Sequence, residues 1–191
     1  VQTTRLADDS FFPILMLNFR RALEIHKMKP GEMHRYVGKR GEDLFRTFIT
    51  QLCDGRQWFR MVFLGDDAIA LDFLVTLEHP TMLNPCCWVS VKATTNTKYS
   101  GAGKNRKLLV RVTQKDIRRL KRTVFPTYVV GIDIDSECGF IKRISKDQDK
   151  EFVGISALPR HRLNCRSIKK LWSEVEQFWK NQIQVQDKSV F

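Results

Sequence analysis

Residues 68–95 read AIALDFLVTLEHPTMLNPCCWVSVKATT, and the fold turns on how this stretch is interpreted. Ile69 to Leu77 is almost wholly apolar, with Asp72 its one charged residue. Such a run is expected to form a strand buried on both faces. Trp88 to Thr94 reads as a second strand, joined to the first by a loop. Alternation sends Val89, Val91 and Ala93 to one face, and Trp88, Ser90, Lys92 and Thr94 to the other. An unpaired buried charge is costly enough that it is either neutralised or partnered. Asp72 and Lys92 are therefore expected to face each other, a metal, or both. A purely structural ion pair is the plain alternative.

Upstream, Met33 to about Leu52 has helical periodicity, with Val37, Gly41, Leu44, Phe45, Phe48, Ile49 and Leu52 on one stripe. Glu42 lies on the border of that stripe, from which it can reach past the helix toward a sheet edge. Gly38 and Gly41 remove side chains on the same side and allow close approach of backbone or phosphate. Downstream, Leu108 to Val112 reads as a strand. Thr113 with Asp116 forms a capping box for a helix through about Thr123. Thr127 to Ile134 reads as a buried strand and Cys138 to Ile144 as its hairpin partner.

The sequence Gly38-Lys39-Arg40-Gly41-Glu42-Asp43-Leu44-Phe45, then Asp72, then Ser90-Val91-Lys92, then the helix and strand from Val112 to Ile134, resembles the PD-(D/E)xK nuclease superfamily, in particular its Holliday-junction-resolvase-like domains. The similarity covers about Tyr36 to Ile144. The resemblance implies a restriction-endonuclease-like α/β core: a mixed central sheet flanked by helices, with extra N- and C-terminal helices. It implies catalytic roles for Glu42, Asp72, Ser90 and Lys92. It also implies Mg²⁺ (or Mn²⁺) held by Asp72, Glu42 and the main-chain carbonyl of Val91, and hydrolysis of a phosphodiester leaving a 5′-phosphate. Ser90 stands where the family usually has Glu, Asp or Gln, and a hydroxyl is a poorer Mg²⁺ ligand than a carboxylate. The alternative is a domain of the same fold that binds nucleic acid or a protein without cleaving.

The chain has 191 residues and a formal net charge of +12. That excess favours a polyanionic partner, DNA more than RNA. The loop from Thr94 to Lys107 is small, polar and basic, suited to holding a phosphate backbone. Its residues Thr94, Lys98, Lys104, Arg106 and Lys107, with Lys39 and Arg40 on the first helix, are the candidate nucleic-acid contacts. No apolar run is long enough to span a membrane. The five cysteines are an odd number without a C-x-x-C pair, so they are read as reduced thiols and the protein as cytoplasmic. The expected organisation is an N-terminal helical extension over residues 1–35, the nuclease-like core over 36–145 and a C-terminal segment over 146–191. Within the extension, Ser10 caps a helix to about Met28, ended by Pro30-Gly31. Residues 145–166 are expected to be irregular, and Ser167 to cap a last helix carrying Leu171, Val175, Phe178, Trp179 and Ile183. The terminal helices offer a surface for a homodimer or an additional domain.

Overall fold

Strand β3 (Cys86–Thr94) is the hub of the architecture in the computed structural model, which describes residues 29–65, 70–95, 99–148 and 150–186. It pairs antiparallel with β2 (Phe73–Leu77) on one side and parallel with β6 (Thr127–Asp133) on the other. β1 (Phe59–Phe63) extends the sheet beyond β2, and β7 (Cys138–Arg143) extends it beyond β6. The result is a mixed five-stranded sheet in the order β1-β2-β3-β6-β7. Parallel strands need a long crossover. Here it runs through β4 (Tyr99–Ser100), β5 (Lys107–Val112) and helix α2 (Gln114–Lys121).

The fold is α/β with flanking helices, as expected. Two compact units divide between Tyr36 and Val37. The described part of the first is Lys29–Tyr36, which includes the opening of helix α1 (Pro30–Thr50). The expected helix from Ser10 to Met28 lies outside the described residues. Pro30-Gly31 opens helix α1, which the first turn tolerates because Pro lacks an N–H that would have no partner there.

Within the second unit, each face of the central sheet buries its own apolar cluster. Val89 of β3 joins Tyr128 and Val130 of β6, Phe45 and Ile49 of α1, and Ile168 and Val175 of helix α3 (Cys165–Gln186) in the larger one. Val129, on the opposite face of β6, packs with Val110, Val112, Ile117 and Leu120 from β5 and α2. The two-layer cover explains β6, every residue of which is buried. The capping box at Thr113 and Asp116 is present as read: the Thr113 hydroxyl accepts from the Asp116 N–H, and the Asp116 carboxylate accepts from the Thr113 N–H.

Several expectations are corrected. The strand read as Ile69–Leu77 spans Phe73–Leu77, and its burial alternates: Phe73, Val75 and Leu77 are buried, while Leu74 and Thr76 are half-buried. The layer formed by β5 and α2 covers β3 and β6 but leaves this part of the sheet partly open. Residues 145–166 are not irregular. They contain β8 (Phe152–Ser156), which pairs with β5 to make a second sheet in the order β4-β5-β8. Its five residues include Gly154 at φ +115°, which hides the alternation that would have marked a strand. The last helix is capped by Asn164, whose side-chain oxygen accepts from the Ser167 N–H, while the Ser167 hydroxyl accepts from the Asn164 N–H. Finally, not all thiols are reduced. Cys53 and Cys165 form a disulfide across 112 residues, because the end of α1 and the start of α3 meet with their Cα atoms 5.3 Å apart. Cys86, Cys87 and Cys138 remain free.

Candidate active site

The site forms where β2 and β3 stop pairing. Their ladder ends at Phe73 opposite Val89, and the chain before Phe73 is held by two further backbone bonds, from Asp72 N–H to Val89 O and from Leu64 N–H to Asp72 O, both 3.0 Å. With no strand continuing opposite it, the Val91 N–H still needs an acceptor. The Asp72 carboxylate supplies it, accepting from Val91 N–H at 2.5 Å. A polar side chain is thus built into the gap, and its position follows from the splay of the two strands.

Ser90 and Lys92 flank Val91 and point to the opposite face from it. Ser90 is 1% exposed, and its Oγ has no hydrogen-bond partner among the described residues. It nevertheless lies close enough to the Asp72 carboxylate to favour the ionised form. Lys92, half-buried, acts on the same carboxylate through its charge. Burial outweighs these contributions and holds the Asp72 carboxyl above its usual range. The Val91 N–H, Lys92 and Ser90 pull it down, and the charge of Asp116 pushes it up. Three of the four expected catalytic residues therefore converge on one patch.

Asp116 was read from sequence as a helix cap and nothing more. It is one: its Oδ2 also accepts from the Thr113 hydroxyl at 2.9 Å. The crossover that carries α2 over β3 brings this capped carboxylate within electrostatic range of Asp72. No spacing in the sequence signals that approach, because the two residues sit on elements related only through the crossover.

Glu42 stands differently. Helix α1 packs on the Val91 and Ala93 side of β3. A Cβ added to Gly41 would come within 2.4 Å of the Ala93 Cβ, so the close approach expected at this glycine is real. At Gly38 nothing lies within 4 Å of where a Cβ would stand, so the helix surface is open there. Glu42, half-buried and next to Gly41, thus comes from the helix covering the face opposite Ser90 and Lys92. Its route to Asp72 would be through the gap between β2 and β3. Val91 meets Asp72 through its N–H. Among the described residues, no three His, Cys, Asp or Glu side chains gather closely enough to hold a metal ion.

The expected nucleic-acid contacts stand as follows. Lys39 and Lys104 are exposed. Arg40 is neutralised by Glu137 at 2.5 Å. The Thr94 hydroxyl donates to the Thr95 carbonyl at 3.0 Å. The Arg106 guanidinium lies over the Tyr99 ring, 4.1 Å from its centroid. Lys107 opens β5 beside Lys142, and Lys98 lies outside the described residues. A second buried carboxylate, Asp133, is fully enclosed but well supplied with donors. It accepts from the Tyr99 hydroxyl at 3.1 Å, from the Ser136 hydroxyl at 2.5 Å and from the Asp135 N–H at 3.2 Å. These bonds make it the fastening of the turn after β6, in contrast to Asp72.

No helix among the described residues is long and apolar enough to cross a membrane. No family model, curated protein or solved structure matches the chain.

Proposed function

We propose that the chain is a metal-dependent nuclease that hydrolyses phosphodiester bonds of nucleic acid, DNA in preference to RNA. A role in defence against foreign DNA or in repair would suit it. One observation carries this reading: a buried carboxylate in the gap between two strands, with an orphaned hydroxyl and a lysine on the same face. The element order adds support, since a helix carrying Glu42, a strand following Asp72, the strand carrying Lys92, and then a helix and a strand come in the order on which the resemblance to PD-(D/E)xK nucleases rests.

The donor set is sparse but chemically suited to Mg²⁺ (or Mn²⁺). Mg²⁺ takes one or two carboxylates and fills its remaining positions with water and phosphate oxygens. Asp72 would hold it, with Glu42 and the Val91 carbonyl as further candidates. When bound, the metal would acidify a coordinated water and offset charge on the phosphate. Ser90 Oγ, lacking any other partner, is free to hydrogen-bond a water beside Asp72. Lys92 would orient the attacking water and oppose the charge developing on the phosphate. The Val91 N–H fixes one oxygen of Asp72.

The test is incubation of supercoiled plasmid with Mg²⁺ or Mn²⁺, wild type beside Lys92→Ala. Nicking by the wild type and none by the variant is the expected result. A second reading, a nuclease-fold domain that binds without cleaving, is favoured by Ser90 at the usual acidic position and by the lack of a three-ligand cluster among the described residues. Ser90→Glu separates the two. If that variant binds divalent metal by calorimetry and the wild type does not, even with DNA present, the binding reading replaces the catalytic one.

A further inference from the structure

A cavity of about 480 Å³ opens along the free edge of β7, between α3 and β8, well inside the range of about 300–1,000 Å³ typical of ligand pockets. Its walls carry an unusual excess of positive charge. Lys107 comes from β5, Lys142 from β7, Arg160 from the turn after β8 and Lys170 from α3. None of these four makes an ion pair with an acid among the described residues. The carboxylate on the wall, Glu174, is taken up by Arg143 at 2.8 Å.

Lys142 and Arg160 are held in place without being neutralised. The Lys142 amine sits over the face of Phe152, 3.7 Å from the ring centroid. Burial and then the nearby charge of Lys107 make its protonated form less favourable than usual. Arg160 donates to the ring of His161 at 3.3 Å. Like charges gathered at a partly enclosed site repel one another, and a bound anion would remove that cost.

A second and independent observation points into the same space. Tyr128 is 2% exposed and lines this cavity, yet its hydroxyl has no hydrogen-bond partner among the described residues. The Glu174 carboxylate lies near enough to act on the phenol by charge and by hydrogen bonding, but outside full hydrogen-bond geometry. Burial first, and Glu174 next, keep the phenol protonated, so it can serve as a donor. A buried donor left unmet is costly unless a ligand or water satisfies it. The remaining wall includes Ile141 and Leu171, an apolar surface for a flat ring. A nucleic-acid duplex presents phosphates on a broad convex surface and cannot bring one to a hydroxyl this buried; a small ligand can.

We infer that this cavity is a second binding site, apart from Asp72, for a nucleotide carrying two or more phosphates: the phosphates between Lys107, Lys142, Arg160 and Lys170, one oxygen on the Tyr128 hydroxyl, and the base against Ile141 and Leu171.

Calorimetry on the full chain in the presence of a chelator tests this, with ADP as the probe and pyrophosphate, adenosine and a single-stranded oligonucleotide as comparisons. ADP binds saturably with one site per chain and more tightly than pyrophosphate or adenosine. Lys142→Ala and Lys170→Ala each weaken it at least tenfold, and Tyr128→Phe weakens it by roughly tenfold, the loss of a hydrogen bond to a charged group. Lys104→Ala and Asp72→Asn leave it unchanged. Thermal melts of each variant establish that they are folded, and Lys170→Ala, on an exposed helix position, keeps the test valid if Tyr128→Phe is not. No ADP binding overturns the inference. So does equal weakening by Lys104→Ala, which would mean unspecific attraction to a basic surface. Pyrophosphate binding as tightly as ADP overturns the nucleotide assignment, and so does binding of the oligonucleotide in place of ADP.

Discussion

The two faces of β3 are built to different ends. Toward α1, Val89, Val91 and Ala93 pack so closely that Gly41 has no room for even a methyl group. Toward α2, the same strand presents Ser90 with an unmet hydroxyl and Lys92 beside a desolvated carboxylate. One face contributes stability through contact. The other retains polar groups that contribute little to the folded state, as is common where function sets the residue. The difference predicts that substitutions on the two faces will dissociate: activity lost without stability on one, stability lost first on the other.

The largest effect should come from the polar face. Lys92→Ala and Asp72→Asn are expected to lower cleavage by about 10²–10⁴-fold, the range for a positioned group acting on proton transfer. Their melting temperatures should stay within a few degrees of the wild type or rise. A parallel loss of stability in both would break the comparison. On the packed side, Cys53→Ser opens the disulfide to Cys165, and a bridge closing so long a loop typically contributes about 2–5 kcal/mol. Urea unfolding of the variant, beside wild type with and without reductant, measures it. An unchanged midpoint would mean that α1 and α3 hold together without the bond.

Gly41→Ala asks the same question one methyl at a time. Forcing that group against Ala93 is expected to destabilise by about 1–3 kcal/mol. Gly38→Ala, with open space around it on the same helix, should stabilise slightly, by up to about 1 kcal/mol. Equal effects at the two glycines would contradict the packing described.

The smallest effect is the most diagnostic. Asp72 has its carboxyl raised above the ordinary value of 3.8, chiefly by burial. Folding therefore favours its protonated form. That contribution is fully present below pH 3.8 and is lost as pH rises through the elevated folded value. Asp72→Asn keeps an acceptor for the Val91 N–H and carries no charge at any pH. Its stability relative to wild type should grow as pH rises through that window and level off above it. Adding Mg²⁺ should then raise the melting temperature of the wild type and leave the variant unchanged. A variant less stable than wild type at pH 7 would show that the carboxylate is a structural fastening, like Asp133.

Much of this architecture was legible in the sequence where period and chemistry agree. Thr113 and Asp116 announced α2, the largely apolar run from Thr127 announced a buried strand, and alternation in residues 88–94 set Ser90 and Lys92 on one face. β8 was hidden because a glycine at positive φ interrupts a five-residue strand, and β4 because two residues are too few to show a period. The cap at Asn164 was displaced by Ser167, an equally good capping residue three positions on.

By itself the sequence determined the local terms: which residues alternate, where helices begin, and that Asp72 and Lys92 were unusual companions for an apolar run. What the tertiary structure decided is every relation between distant elements. It placed Glu42 on the helix behind β3 and Asp116 in front of it. It joined Cys53 to Cys165, and it gathered Lys107, Lys142, Arg160 and Lys170 around the Tyr128 hydroxyl. The physical reason is that propensity and periodicity act over a few residues, whereas charge, burial and disulfide geometry depend on distances that exist only once the crossover and the second sheet have closed over the first.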